Sequence, residues 1–384
     1  MIKKILMCIM LLLIPLNTLA VTDNFDPIGN AKSGILMEAT TGKILFKKNI
    51  NEKLSVASMT KMVAQIIILE KIKKKQIKWT DIVTVSKNAA DMGGSQIYIA
   101  EGEKISVEDL MKGISMASGN DATVAMAEYI SGSVEKFVNL MNKKVKELGL
   151  KNTVFKNSTG LDEKGHYSTA YDMAIIAKEL VNNYPEIFKF SGLYEDYLRE
   201  NTDNKFWLVN TNKLVRFYDG ADGLKTGHTD DAGYCLAATA KRNGLRLITI
   251  VLGENDNNVR NSEAMNLLDY GFNSISLDVL KEKGTNIKNI IIDKANVESF
   301  GAVLENDLGV VVDVDNKNKK YDYDIKIDNI KLPIKKGESI GIVDVYYKNK
   351  KVAEGKLVSD REVLPLNYLE LFYKGFKNIV SGNI

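Results

Sequence analysis

The chain is short of the residues on which metal and thiol chemistry depend: its 384 residues include two cysteines and two histidines. Cys8 lies within an N-terminal apolar run, too early for a lipid-modified cysteine at a cleavage site. That leaves Cys235, so no intrachain disulfide is expected in a processed chain, and a thiol centre is not expected either. Cys235 sits in Tyr234-Cys235-Leu236-Ala237-Ala238 and reads as a small buried hydrophobe. His166 and His228 are too few for a multi-histidine zinc site, so neither metal nor cofactor is expected. Net charge is scarce as well. The formal value is +3, falling to +1 if Lys3 and Lys4 leave with a leader. Such a chain carries no electrostatic footprint for nucleic acid. The apolar run Ile5 to Leu16 also falls short of the roughly 20 residues a bilayer demands.

What is present at the N-terminus has a direction. Met1-Ile2-Lys3-Lys4, the apolar run, then Thr18-Leu19-Ala20 form a charged start, an apolar core and a small-x-Ala end. That pattern predicts a signal peptide over residues 1–20 and an exported protein. The remaining chain of about 360 residues exceeds what one core usually holds, so two domains are expected, with a boundary near residue 275. Helical patterns lead up to it: Val63 to Lys74, Val107 to Met116, Val134 to Leu148 and Ala170 to Val181. After it, short Val- and Ile-rich runs alternate with Lys/Asn/Asp/Gly turns and predict a small all-β domain over 276–360.

The first region, 21–275, also carries strands. Ser33 to Phe46 reads as a hairpin around Thr40-Thr41-Gly42, and Gly223 to His228, Gly233 to Ala240 and Leu245 to Leu252 read as three consecutive strands. Asn243-Gly244 between the last two is the strongest short hairpin signal available. Hairpin-linked strands with helices between the early and late ones predict an α+β fold: a five-stranded antiparallel sheet flanked by helices, with a helical subdomain.

Three short motifs fall on this framework. Ser58-Met59-Thr60-Lys61 immediately precedes the apolar helix Met62 to Leu69, so Lys61 can reach the Ser58 hydroxyl. A serine is a poor nucleophile until its proton is taken, and a desolvated lysine can take it where histidine is absent. Ser118-Gly119-Asn120 and Lys225-Thr226-Gly227 are the other two. Singly each is weak. Ser133-Val134-Glu135-Lys136 repeats the first pattern and there reads as a helix N-cap. Ser86-Lys87-Asn88 and Ser381-Gly382-Asn383 repeat the second, and Lys32-Ser33-Gly34 rivals the third.

Their combination is specific: one arrangement places the first on a helix start, the second in a connection and the third on a strand. With the flanking text Ala117 to Ala122, His166 to Ala170 and Asp222 to Thr229, the chain resembles the low-molecular-mass penicillin-binding proteins. Within them it is similar to the D-alanyl-D-alanine carboxypeptidases of the serine β-lactamase/transpeptidase-like superfamily. The resemblance runs from about residue 25 to 272. It implies removal of the terminal D-alanine from peptidoglycan stem peptides ending in D-Ala-D-Ala, with β-lactams as covalent inhibitors. It implies Ser58 as acylated nucleophile, Lys61 as proton acceptor and Ser118, with Asn120, as proton donor to the leaving group and holder of the substrate amide. Lys225 would supply positive potential and Thr226 would bind the terminal carboxylate. Gly227 completes that strand motif, and the backbone N–H groups of Ser58 and His228 would form an oxyanion hole.

Other readings stay open. A class A β-lactamase shares the first and third motifs but needs a Glu-x-x-Leu-Asn glutamate; Glu179-Leu180-Val181-Asn182-Asn183 lacks that leucine. A β-lactam sensor that does not turn over and a D,D-endopeptidase with the same machinery are further alternatives. The His228 side chain could line the pocket or contribute only its backbone. His166 reads as an organiser of its loop, and Arg246 as either a carboxylate binder or a solvated strand charge. In the tail, 361–384, Tyr368, Leu369, Phe372, Phe376, Ile379 and Val380 recur at helical spacing opposite lysines. That predicts an amphipathic helix lying on a membrane surface, which would hold the enzyme at the outer face of the cytoplasmic membrane.

Overall fold

The computed structural model describes residues 26–200, 202–313 and 319–373. The predicted signal peptide and the last part of the predicted tail helix, from residue 374, lie outside the described residues. Strands β1 (Ser33–Glu38) and β2 (Ile44–Lys48) form the first hairpin. Five main helices follow: α1 (Lys61–Lys73), α2 (Val107–Met116), α3 (Asn120–Ser131), α4 (Val134–Glu147) and α5 (Ala170–Asn183). The chain then returns to the sheet through β3 (Ala221–Thr229), β4 (Gly233–Arg242) and β5 (Leu245–Glu254), and α6 (Asn257–Ser274) closes the unit. The strands order as β2-β1-β5-β4-β3, all antiparallel, so the first hairpin lands beside the last strand and β3 stays at an edge. The turn between β4 and β5 has Asn243 at φ 48° and Gly244 at φ 80°, the two left-handed residues that a tight hairpin requires.

Both faces of this sheet are covered. Ile35, Met37, Ile248 and Ile250 pack with Met62, Ile66 and Ile176 from the helical side, while Leu36, Leu247 and Val251 pack with Leu267 and Leu268 of α6. Two-sided burial explains why β5 reads as a nearly continuous apolar run. Every residue from Lys61 to Leu69 in α1 is buried, so this helix runs through the molecule's centre and brings Lys61 with it.

Past α6 the chain forms β6 (Ile275–Lys281), β7 (Asn286–Ile291), β8 (Ser299–Leu304), β9 (Leu308–Asp313), β10 (Asp322–Ile327), β11 (Ser339–Tyr347) and β12 (Lys350–Ser359). β6 pairs with β9, and the others order as β7-β8-β12-β11-β10 around their own apolar cluster. Residues 368–373 then form a short helical stretch, started by Asn367 and Glu370 exchanging backbone and side-chain hydrogen bonds as a capping box. Tyr368 and Leu369 of that stretch are 93% and 81% exposed. Among the described residues, no helix is long and apolar enough to cross a membrane.

Candidate active site

The rival motifs separate by what their serines do. The Ser133 and Ser86 hydroxyls accept the N–H groups of Lys136 and Ala89 as helix N-caps, and Ser33 Oγ donates to the backbone of Lys48 and Asn49. Ser58 has no such task. It sits in a 3-10 turn, Ala57–Thr60, that runs directly into α1, and its Oγ lies 2.8 Å from Lys61 Nζ. Ala57, just before it, holds φ at 45°, an unusual value for a non-glycine residue.

Lys61 is fully buried, and all its polar partners are neutral: Ser58 Oγ, Asn120 Oδ1 at 2.6 Å and the Thr159 carbonyl at 2.7 Å. Burial, together with repulsion from Lys225, holds its pKa well below the ordinary lysine value, and Asp121 offsets this in part. Asp121 itself accepts the N–H groups of Ile97 and Ile99, fixing the segment opposite. Asn120 turns its Nδ2 to the Gly93 carbonyl at 2.7 Å, which orients its oxygen toward Lys61.

Around this centre lies a cleft of about 410 Å³. Its walls include Ser58, Ser118, Thr226, Gly227 and His228 from the three motifs, with Thr211 and Arg260. Ser118 has φ 62°, and its buried hydroxyl has no hydrogen-bond partner among the described residues. Gly227 lets the edge strand β3 press against the serine turn: a Cβ there would lie 2.7 Å from the Val56 carbonyl and 3.2 Å from Ser58 N. Thr226 Oγ1 bonds Thr211 Oγ1 at 2.7 Å. The His228 ring stacks on Tyr234 at 4.1 Å on the cleft wall, so its side chain as well as its backbone is at the site. Lys225 lies behind the wall rather than in it. It is 1% exposed, donates to the Thr226 carbonyl at 3.0 Å, and has its pKa lowered to about 7 by burial and by Arg260.

Arg260 is one of several wall residues that the sequence reading missed, Thr211 and Lys213 among the others. It enters on the first turn of α6 and is 3% exposed. It donates to the Cys235 carbonyl and to Asn257 and Asn261, with no carboxylate among these partners. Its signal in the sequence was weak: one arginine in a polar helix start. Arg246, weighed above as a carboxylate binder, instead pairs with Asp222 through two 2.7 Å bonds and lies over the Phe188 ring. Glu179 bonds Asn183 on α5 and is not on the cleft wall.

A half-buried serine bonded to a buried lysine, at the foot of a cleft with a guanidinium and a spare hydroxyl on its wall, has the parts for acyl transfer with an amine in the place that histidine takes in other serine hydrolases. Residues 21–256 match the family model D-alanyl-D-alanine carboxypeptidase, and 278–364 match the penicillin-binding protein 5 C-terminal domain. The chain is 46% identical to D-alanyl-D-alanine carboxypeptidase DacF of Bacillus subtilis over 88% of its length and 87% of that protein's. Penicillin-binding protein 5 of Haemophilus influenzae superposes with a TM-score of 0.66 at 32% identity, covering 87% of this chain and 97% of that one. Penicillin-binding protein D2 of Listeria monocytogenes, solved in an ampicillin-bound form, gives 0.57 at 29% identity over 63% of this chain and 97% of that one. The chain belongs to the D-alanyl-D-alanine carboxypeptidase family.

Proposed function

We propose that this protein removes the terminal D-alanine from peptidoglycan stem pentapeptides through an acyl-enzyme on Ser58. The observation that carries the mechanism is the set of acceptors around Lys61. A charged ammonium can donate to all three neighbours. A neutral amine has two hydrogens and one lone pair. The Thr159 carbonyl and Asn120 Oδ1 are acceptors only, so they claim both hydrogens and leave the lone pair for Ser58. Lys61 in its neutral form is therefore aimed to take the serine proton, a role worth about 10²–10⁴ in rate.

As the proton moves to Lys61, Ser58 Oγ bonds to the carbonyl carbon of the penultimate D-alanine. The Ser58 and His228 N–H groups receive the oxyanion; β3 is an edge strand, whose outer side is not consumed by sheet pairing. The proton then passes through Ser118, whose hydroxyl has no partner among the described residues to give up, onto the nitrogen of the leaving D-alanine. The C–N bond breaks, and water later cleaves the Ser58 ester with Lys61 again as base. Asn120 holds Lys61 and, with its remaining amide hydrogen, the substrate amide. Thr226 and Gly227 line the carboxylate end, backed by the positive potential of Lys225. Arg260, whose partners among the described residues are neutral, supplies a guanidinium to the terminal carboxylate.

β-Lactams enter the same path and stop at the ester. D-Alanine departs and lets water in, whereas the cleaved β-lactam nitrogen stays tethered to the acyl group and blocks that approach; with no aspartate or glutamate among the described lining residues to activate water from another side, the penicilloyl adduct hydrolyses slowly. Residues 21–275 form the catalytic unit of this proposal and 276–360 a separate β unit. The tail, 361–384, attaches the exported enzyme to the outer face of the cytoplasmic membrane through residues such as the exposed Tyr368 and Leu369. Incubation with a peptide ending in D-Ala-D-Ala tests the activity. Many equivalents of D-alanine per enzyme are expected; one equivalent or less identifies a sensor. Release of D-alanine in preference to cleavage of crosslinked muropeptides separates a carboxypeptidase from an endopeptidase.

A further inference from the structure

His166 lies outside the cleft wall, yet it touches the serine turn. Its Nδ1 accepts the backbone N–H of Lys156 at 3.2 Å, so in the neutral ring the proton resides on Nε2. Nε2 is 2.8 Å from Thr60 Oγ1 and thus donates to it. The ring is 7% exposed and stands edge-on against Phe155 at 5.3 Å. Thr60 belongs to the turn that carries Ser58, and Lys156 opens the loop that carries Thr159.

That loop is organised for close approach. Asn157 Oδ1 gathers the N–H groups of Thr159 and Gly160, at 3.2 and 2.7 Å. Gly160 has φ 85°, and a Cβ on it would collide with the Ala57 carbonyl and come within 2.9 Å of Thr60 Oγ1. Farther along, Asp162 Oδ1 accepts from Thr229 Oγ1 at 2.6 Å, tying the loop to the end of β3. The loop is thus pinned to the serine turn at one end and to the edge strand at the other.

We propose that His166 is a positioning residue for the reaction: by donating to Thr60 it locks the 156–166 loop onto the serine turn and holds the Thr159 carbonyl on Lys61. The inference rests on the reading of Ser58 and Lys61 given above. Without the lock, the Thr159 carbonyl swings away and water reaches the amine. One Lys61 hydrogen then has no fixed acceptor, and the lone pair is no longer confined to Ser58. The hydrated amine also keeps its proton to higher pH. The charged groups acting on Lys61 are Lys225 from β3 and Asp121 from α3, and those acting on His166 are Glu163 and Asp162 of its own loop; the substitutions below leave all of them in place.

The test is the rate constant for acylation by a fluorescent penicillin, measured across pH for the full chain. His166→Ala and Thr60→Val should each slow acylation about 10²-fold, the scale of a misplacement of about 1 Å. Each should also move the acid limb of the profile to higher pH. The double variant should be no slower than either single one, since both remove the same bond. His166→Gln, whose amide N–H reaches the same place, should recover most of the rate. An unmoved acid limb, additive losses, or His166→Gln as slow as His166→Ala would each overturn the proposal. If His166→Ala does not fold, Thr60→Val and His166→Gln decide the matter through the same limb. Ser58→Ala runs alongside: continued labelling of that variant means the reading of Ser58 has failed, whereas its loss together with a wild-type His166→Ala profile means the positioning role alone has failed.

Discussion

Lys61 is fully buried, and its hydrogen-bond partners are a carbonyl, an amide oxygen and a hydroxyl rather than carboxylates. This combination makes an amine useful as a base, because desolvation favours its neutral form. Arginine at position 61 would keep the charge and lose the lone pair, since a guanidinium does not give up its proton. Lys61→Arg should therefore slow penicillin acylation by at least about 10²-fold with the fold retained, as seen by rapid-mixing fluorescence beside circular dichroism. His166 makes a separate prediction about stability. Burial lowers its pKa to about 4 from 6.5, so the folded state resists protonation. Above pH 6.5 the ring is neutral folded or unfolded and contributes nothing. Between 6.5 and 4 the unfolded chain takes the proton first, so stability falls as pH falls, by about 3 kcal/mol in all. Urea midpoints at pH 7.5 and 4.5 should show a smaller drop for His166→Gln than for wild type; an equal drop contradicts this.

Two close backbone approaches between elements shape the site alongside its side-chain hydrogen bonds. Gly227 lets β3 meet the serine turn, and Gly160 lets the following loop meet the same turn from the other side. Gly227→Ala would push its Cβ against the Val56 carbonyl and the Ala57 side chain, 2.7 and 3.1 Å away. It should slow acylation more than it lowers the thermal midpoint, measured on the same preparation. Much at this scale was legible in the sequence. The Ser58–Lys61 pair is local, three residues apart on one turn, and the Asn243-Gly244 hairpin is local too. Long-range contacts were not. Thr159 reaches Lys61 across 98 residues, His166 reaches Thr60 across 106, and nothing in the spacing indicates either. Arg260 was equally hidden, because a buried guanidinium and a solvated one look alike in a string of letters. The competing Ser133 motif shows the converse: only the position of its hydroxyl, capping α4, separates it from Ser58.

For the whole molecule, the order β2-β1-β5-β4-β3 matters most, because it leaves β3 at an edge beside the serine turn with the cleft between them. Its antiparallel character was readable from hairpin signals; the return of the first hairpin beside β5 was not, because about two hundred residues separate the paired strands and no local turn marks the pairing. The tail was legible as an amphipathic pattern, and the described part has exposed Tyr368, Leu369 and Phe372. Deleting residues 364–384 should move the protein from the membrane to the soluble fraction while leaving D-alanine release from a small peptide unchanged. Unchanged fractionation contradicts a membrane role. The central claim, a covalent intermediate on Ser58, is tested most directly by intact mass spectrometry after penicillin treatment. The wild type should gain the mass of one penicillin, persisting for many minutes and mapping to the Ser58 peptide, and Ser58→Ala should gain nothing. An adduct on Ser58→Ala, or rapid turnover of penicillin with no adduct on the wild type, would contradict it.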